Sequence, residues 1–372
     1  MHMLQFSCEK TLLQSAVNTA SRTVAAKSSI PALEGLLLEG DEQLTVSGYN
    51  MQTGIRTSFD ADIREGGRIV LNARLFGEII RKMPDDVIVF SADDKLLVRL
   101  SCGDASFEIP GLSAEDYPDL PEVDDEYSVA IQQRTLKAMI NQTSFAVSTN
   151  ESRPVYMGTL FEIAHNELTM VSVDGYRLAL RREPVEGYGD DCSFIVPGTA
   201  LSDLERLCGD SDERVKMSVG SKHISFTVGS TVILSRRLEG DFLNYKKAIP
   251  ESFRITVKTA RTDLLDVVER VSLIVDSKNN APLRLTFRKD AIDFVCTTPL
   301  GKAADSCPCE GDGGDLEIGF NDHYLSDALK AAPADELNVC LNTGSSPCIF
   351  VPADGSDNFV YMVLPVRLRA GQ

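Results

Sequence analysis

Residues able to do chemistry usually stand at short, characteristic spacings, so His, Cys, Asp and Glu are the place to begin. The 372-residue chain has four histidines, His2, His165, His223 and His323, far apart and in no ligand spacing. Its nine cysteines are scattered; Cys307-Pro308-Cys309 is the closest pair, and no CxxC partner completes a zinc set. That spacing reads as two loop thiols in a reducing compartment. Glu310-Gly311-Asp312-Gly313-Gly314-Asp315 has the acids and glycines of a calcium loop. It lacks the EF-hand spacing and the closing Glu, and reads as a flexible turn. No nucleophile elbow, HExxH, Walker loop or dinucleotide fingerprint occurs. The expectation is a chain with no catalytic residues, metal or cofactor. One enzymatic alternative stays open, in which a strand-end carboxylate such as Asp174 binds a metal.

Charge narrows the classes further. The formal net charge is −18, which on average disfavours a nucleic-acid binder, because neutralising phosphates needs Lys and Arg. The 37 basic residues could still gather on one face. There is no secretory signal and no apolar run of membrane-spanning length, which predicts a cytoplasmic protein without a membrane partner.

The elements that must position any site come as a repeat. Apolar residues recur at helical spacing over 8–21, 72–83, 134–143, 200–208, 260–273 and 322–331. Ser7 is the expected cap of the first helix, whose inner face would be Leu12, Leu13, Ala16, Val17 and Ala20. Asn72 and Asn321 are expected caps of the second and last; the second would bury Leu75, Phe76, Ile79 and Ile80. Each helix follows a short strand and precedes alternating strands. Two linkers, 113–126, acidic with Pro118 and Pro121, and 240–250, aromatic and ending in Pro250, separate the pairs. Six copies of one supersecondary unit predict an α+β protein of three similar domains, 1–122, 123–250 and 251–372. Each would pack two helices on antiparallel sheet. Lys10, Arg74, Arg81, Lys82, Arg134, Lys137, Arg206, Arg261 and Lys330 lie in or beside these helices. They are either ordinary decoration of solvated faces or a basic layer that touches phosphates without reading sequence.

Two further stretches stand out. In Met170-Val171-Ser172-Val173-Asp174-Gly175-Tyr176-Arg177-Leu178-Ala179-Leu180, Asp174-Gly175 would supply the positive-φ residues of a hairpin turn. Near the chain end an apolar strand over 358–364 meets Pro365, which cannot donate to a ladder, and Val366 and Leu368 continue the apolar character. The tail is either a buried last strand or one wall of a cleft beside the hairpin, open to partner peptides.

The linker Ala114-Glu115-Asp116-Tyr117-Pro118-Asp119-Leu120-Pro121, then Glu151-Ser152-Arg153-Pro154, the Val173–Leu180 segment and the ending Leu364-Pro365-Val366-Arg367-Leu368 occur in that order. Together they resemble the bacterial sliding clamp, the beta subunit of DNA polymerase III, along essentially the whole chain. The resemblance implies a non-catalytic homodimer closed head to tail into a ring, with helices lining the hole. Such a ring encircles double-stranded DNA and confers processivity. It is opened by an ATP-driven clamp loader, and it tethers replicative polymerase, loader and repair proteins through short QLxLF-type peptides. A binding module of the same fold that closes no ring is the alternative.

By position, the resemblance makes Lys27, Arg74, Arg81 and Asn150 DNA-facing; Lys10, Lys82, Arg134, Lys137, Arg206 and Arg261 join them from helix spacing alone. Gly198 and Thr199 replace a basic pair of some members. The implied peptide cleft takes Tyr156, then Val173, Gly175, Tyr176, Arg177 and Leu178 from the hairpin. Leu243, Lys247 and Ala248 come from the second linker, with Leu243 and Lys247 standing for a Pro and an Arg. The tail gives Met362, Val363, Leu364, Pro365, Val366, Arg367 and Leu368, and Pro347 aligns less securely. Leu178, Val363 and Leu364 would form the floor; Arg177 and Arg367 would orient the peptide's polar ends. At the ring joint Phe107 and Ile109 would meet Leu273 and Ile274. Asp104 and Ser106 before Phe107, and Leu300-Gly301-Lys302-Ala303-Ala304, lack the ion-pair pattern of the family, which predicts a joint held by apolar packing.

Overall fold

The structure is a computed structural model and describes residues 4–123, 127–188, 190–275 and 281–368. Met3, where the first strand is expected to begin, and His2 before it lie outside them, as does the end of the 113–126 linker. The described helices are α1 (Lys10–Ala20), α2 (Ala73–Lys82), α3 (Gln133–Ser144), α4 (Gly198–Leu207), the single turn α5 (Tyr245–Ala248), α6 (Arg261–Ser272) and α7 (Asp322–Ala331). Six of the seven are the six helices of the sequence repeat.

Their ends follow local chemistry. Asn72 Oδ1 accepts from Leu75 N at 3.0 Å and Asn321 Oδ1 from Tyr324 N at 3.2 Å, so both expected caps are made. Ser7 is not a cap: it lies inside the strand Gln5–Glu9, and Glu9 occupies the N-cap without a side-chain bond. The inner faces are narrower than expected. Leu12 and Leu75 are exposed, while Ala73, Phe76, Ile79 and Ile80 of α2 are buried. A helix presents about 100° of its surface to a sheet, and these two leucines fall outside that arc.

The chain forms two compact units. The first (Met1–Arg134, Glu186–Gly189 and Ser202–Arg237) holds a five-stranded and a nine-stranded sheet; the second holds a ten-stranded sheet. The sheets run through the boundaries expected between the repeats. Thr231–Arg236 of the central third pairs Thr53–Phe59 of the N-terminal third, in register Thr231↔Thr57 to Ser235↔Thr53. In the second unit Arg177–Pro184 pairs Phe359–Val363, Arg177↔Val363 to Arg181↔Phe359. The central third is thus divided between the units and carries strands of both sheets.

The largest departure from the sequence pattern is one long hairpin. Leu283–Thr298 and Gly301–Phe320 pair along almost their whole length, with register shifts around Lys289. Cys307 and Cys309 are therefore buried strand residues, not loop thiols. Burial raises both thiols, Cys309 to about 11, so neither is poised as a thiolate. Glu310 to Asp315 is a bulged part of that strand rather than a flexible turn; Gly313 abuts Phe287 so closely that a Cβ would lie 2.3 Å from Phe287 Cβ. Among the described residues no three His, Cys, Asp or Glu gather as a metal would need, and no helix is long and apolar enough to cross a membrane.

Candidate peptide cleft and nucleic-acid surface

The hairpin Glu167–Val173 to Arg177–Pro184 turns through Gly175 and Tyr176, not through Asp174-Gly175. Gly175 alone has a positive φ, +95°, and Val173 pairs Leu178. Asp174 acts through its carboxylate: Oδ1 accepts from the backbone N–H of Tyr176 (2.8 Å) and Arg177 (3.0 Å), and Oδ2 from Arg177 Nε at 2.9 Å. Those donors hold the oxygens in the turn and give a metal no vacant carboxylate, so the Asp174 enzyme reading has no geometric support.

Sheet pleating sorts the cleft residues onto two faces. Val173, Leu178 and Met362 belong to one buried cluster, and Tyr156, Ala248 and Leu364 pack against it half-buried. Val363 is wholly buried in the opposite cluster, with Val268, Leu325 and Leu329 of α6 and α7. The expected floor is therefore corrected: Met362 and Leu364 flank Leu178, and Val363 faces the helices. Arg177, paired with Val363, also turns to the helix side. Its guanidinium bonds Asp174 and Asp327 and lies 4.7 Å from the Tyr324 ring centroid and 5.5 Å from that of Phe145. Arg177 is committed inside the protein and holds the hairpin to α7; it is not free to orient a peptide.

Around this floor stand the remaining positions. Tyr156 meets Phe242 edge-on at 5.6 Å. Asn244 caps α5, which leaves Lys247 exposed and Ala248 against the cluster. Tyr176 is exposed and stacks on Tyr324 at 5.7 Å. Leu243 is exposed, and Pro347 directly precedes Cys348, the partner of Val363. Leu364 N donates to Tyr176 O at 2.8 Å; Pro365 ends the ladder, and Val366 N donates to Gly319 O at 2.8 Å. Arg367 is exposed, and Leu368 lies over Gly319.

The basic residues divide sharply. Arg74, Arg81, Lys82, Arg206 and Lys27 are exposed, as is Asn150, which sits in a turn and accepts from Ser152 N at 3.0 Å. Lys10 is not available: its side chain is 9% exposed and its amine bonds Asp85 at 2.7 Å. Arg134 pairs with Asp212. Lys137 is half-buried, and Arg261 points a guanidinium N–H at Leu329 O. At the expected joint, Phe107 lies half-exposed on Ala105–Pro110, an edge strand of the five-stranded sheet, and Leu273 is 82% exposed after α6. Ile109 is buried in its own core and Ile274 packs partly against the C-terminal core, so neither offers a free apolar face.

Comparison with known proteins agrees with this architecture. Three family profiles tile the chain: the DNA polymerase III beta subunit N-terminal domain over residues 4–121, the central domain over 130–244 and the C-terminal domain over 246–367. The chain belongs to the DNA polymerase III beta subunit family. This sliding clamp is 30% identical to the beta sliding clamp of Staphylococcus epidermidis, over 98% of this chain and all of that one. Its fold matches the DNA polymerase sliding clamp of Bacillus subtilis with a TM-score of 0.95 at 26% identity, covering 99% of this chain and all of the other. A Pseudomonas aeruginosa sliding clamp bound to griselimycin matches at 0.91 and 26%, covering 98% and 100%. The protein is accordingly a processivity factor for DNA polymerase III, a non-catalytic subunit, with three clamp domains of helices on antiparallel sheet.

Sequence reading missed three residues of this clamp's hairpin support: Tyr324, Asp327 and Phe145, all gathered on Arg177. Tyr324 and Asp327 are three apart on α7, a spacing that places them on one helix face, but nothing local says what that face meets. The C-terminal tail has a sharper test. A side chain at Gly319 would strike Leu368 Cδ2 at 2.6 Å and the backbone oxygen of Val366 at 2.9 Å. Gly319→Val should therefore lift the tail from the sheet, and trypsin should cut after Arg367 at least about tenfold faster than in wild type, as expected for local unfolding that costs little. An unchanged rate would mean the tail is not held there.

Proposed function

We propose that two copies of this clamp close head to tail around double-stranded DNA in the cytoplasm. Replicative polymerase, clamp loader and repair proteins then dock short apolar peptides on the outer sheet face of the second unit. The observation that carries the tether is the shared apolar cluster of Val173, Leu178 and Met362, rimmed by Tyr156, Ala248 and Leu364. Its half-buried rim leaves apolar surface of the kind that accepts leucine and phenylalanine anchors. Saturable, micromolar-range binding of a labelled QLxLF-type peptide tests it, and absence of binding by folded protein would sink it. The domains of the ring are taken as 1–122, 123–250 and 251–372.

Two free sheet edges support closure. Ala105–Pro110 ends the five-stranded sheet and Leu283–Thr298 ends the ten-stranded one. Unpaired edges invite pairing with another chain, and a heterologous pairing that closes after two copies makes a ring. Phe107 beside one edge and Leu273 near the other supply apolar contact. Charges near both edges are satisfied within the chain: Arg99 with Glu108 at 2.8 Å and Arg270 with Asp305 at 2.7 Å. The dimer dissociation constant should then change less than about threefold between low and high salt, because few free charges are left to be screened. Sedimentation equilibrium measures this, and a steep rise with ionic strength would refute an apolar joint.

A further inference from the structure

A layer of positive charge on every helix is not what the side chains provide. On α2, Arg74, Arg81 and Lys82 share a stripe at helical spacing and are all exposed. Arg74 has one long contact, 3.5 Å to Glu78, and Arg81 and Lys82 have no ion-pair partner among the described residues. On α1 the exposed positions are Thr11, Leu12, Ser15 and Asn18, which carry no charge.

The C-terminal pair is the reverse. α6 has Arg261 and Arg270 against Asp263, Asp266 and Glu269, and α7 has Lys330 against Asp322 and Asp327. Each of the three cations is already committed: Arg270 to Asp305 at 2.7 Å, Lys330 to Glu269 at 2.9 Å, and Arg261 to the carbonyl of Leu329. Asp263 and Asp266 remain exposed on α6. A cation held by a carboxylate beside further carboxylates releases few counterions when a phosphate approaches, and the free carboxylates repel that phosphate.

We infer that this clamp holds duplex DNA asymmetrically: Arg74, Arg81 and Lys82 of α2 make phosphate contacts, and the α6–α7 surface makes none and repels the backbone. The inference rests on the DNA-encircling reading proposed above. Its ligand is the sugar-phosphate backbone of any duplex, since long cations on a helix flank touch phosphates without selecting bases. Such a hold biases the duplex toward the N-terminal helices of each copy and leaves the C-terminal helices as a repulsive wall. A duplex so placed moves with few contacts to break at each step.

The test is fluorescence anisotropy of a fluorescein-labelled linear duplex of about 30 base pairs, titrated with the full-length dimer at several KCl concentrations. The slope of log affinity against log salt counts phosphate contacts at about 0.9 per contact. Arg74→Gln/Arg81→Gln/Lys82→Gln should weaken binding at least about tenfold at low salt and reduce that slope by about 2 to 3, as for the loss of two or three phosphate contacts. Arg261→Gln/Lys330→Gln should leave affinity within about twofold and the slope unchanged, and Asp263→Asn/Asp266→Asn should tighten binding, the signs expected of a repulsive surface. If the α6–α7 cation variant costs as much as the α2 variant, the asymmetry is wrong while DNA binding stands. If wild type binds no duplex even at low salt, the DNA-encircling reading fails and this inference with it. Circular dichroism of each variant guards against lost fold, and all the substituted side chains except Arg261 are exposed.

Discussion

Leu364→Asp is expected to weaken a fluorescent QLxLF-type peptide by at least about 30-fold while the fold persists. Leu364 packs half-buried against the outer-face cluster, so in the free clamp its side chain stabilises little. Covered by a peptide, it would contribute roughly 1.5–3 kcal/mol of apolar burial, and each 1.4 kcal/mol is a factor of about ten in affinity. The carboxylate adds a desolvation cost that Arg177 does not offset, because it lies on the other face with its charge already taken up by Asp174 and Asp327. Leu178→Asp is the wrong choice of variant: Leu178 is wholly buried, and an unpaired charge there would cost a large share of the roughly 5–15 kcal/mol that holds a domain together. Val363→Ala supplies the control for face assignment. It should lower the melting temperature by several degrees, as large-to-small core changes do, yet leave the peptide affinity of the folded protein within about twofold. Full affinity in well-folded Leu364→Asp would remove the cleft from the outer face.

Leu273→Asp should convert the dimer into a monomer. Leu273 is 82% exposed, so the chain itself loses almost nothing; substitutions at such positions usually change stability by within about 0.5 kcal/mol. The joint loses an apolar anchor and gains a charge in a place where Phe107 would pack. A ring of two copies has two such joints, so the penalty counts twice, and even about 1.5–2 kcal/mol at each joint lowers the dimerisation constant at least about 100-fold. Sedimentation equilibrium at micromolar concentration should then return one chain mass, 40.6 kDa, where wild type returns twice that. Phe107→Asp should behave alike. A variant that stays dimeric would place the joint elsewhere.

How much of this could be read from the sequence depended on how local the cause was. Asn72 and Asn321 announce their helices because a cap bonds only three residues away. Leu13, Ala16 and Val17, or Phe76 and Ile80, show which side of a helix is buried for the same reason. The outer-face cluster was legible as a set of residues but not as a face. In Phe359-Val360-Tyr361-Met362-Val363-Leu364 every residue is apolar because both faces of that strand are covered, and without alternation the pattern gives no phase. Val363 as a floor residue is a one-residue slip of that kind. The Gly301–Phe320 strand was hidden by Pro308 and its acids and glycines, although Ala303, Cys307 and Cys309 keep a period of two. Lys10 looked free because Asp85 lies 75 residues away. The helix acids Asp263, Asp266 and Glu269 are as plain in the sequence as the helix bases beside them.

The seams at Thr231–Ser235 and Arg177–Arg181 bear on what fragments of this protein could do. Three sequence repeats suggest three parts that could be cut out and studied alone. Each seam, however, is a row of backbone hydrogen bonds in the interior of a sheet, and the central third owns one side of both. Excised, it would carry two naked interior strands: Thr231–Arg236, apolar through Val232-Ile233-Leu234, and Arg177–Pro184, apolar through Leu178-Ala179-Leu180, each with an unpaired row of backbone groups of the kind that sticks to other chains. Such a fragment is a candidate for aggregation rather than for domain biology. The repeats have kept their pattern but surrendered their autonomy, and the smallest piece of the chain that can be expected to stay soluble is one that leaves both ladders whole.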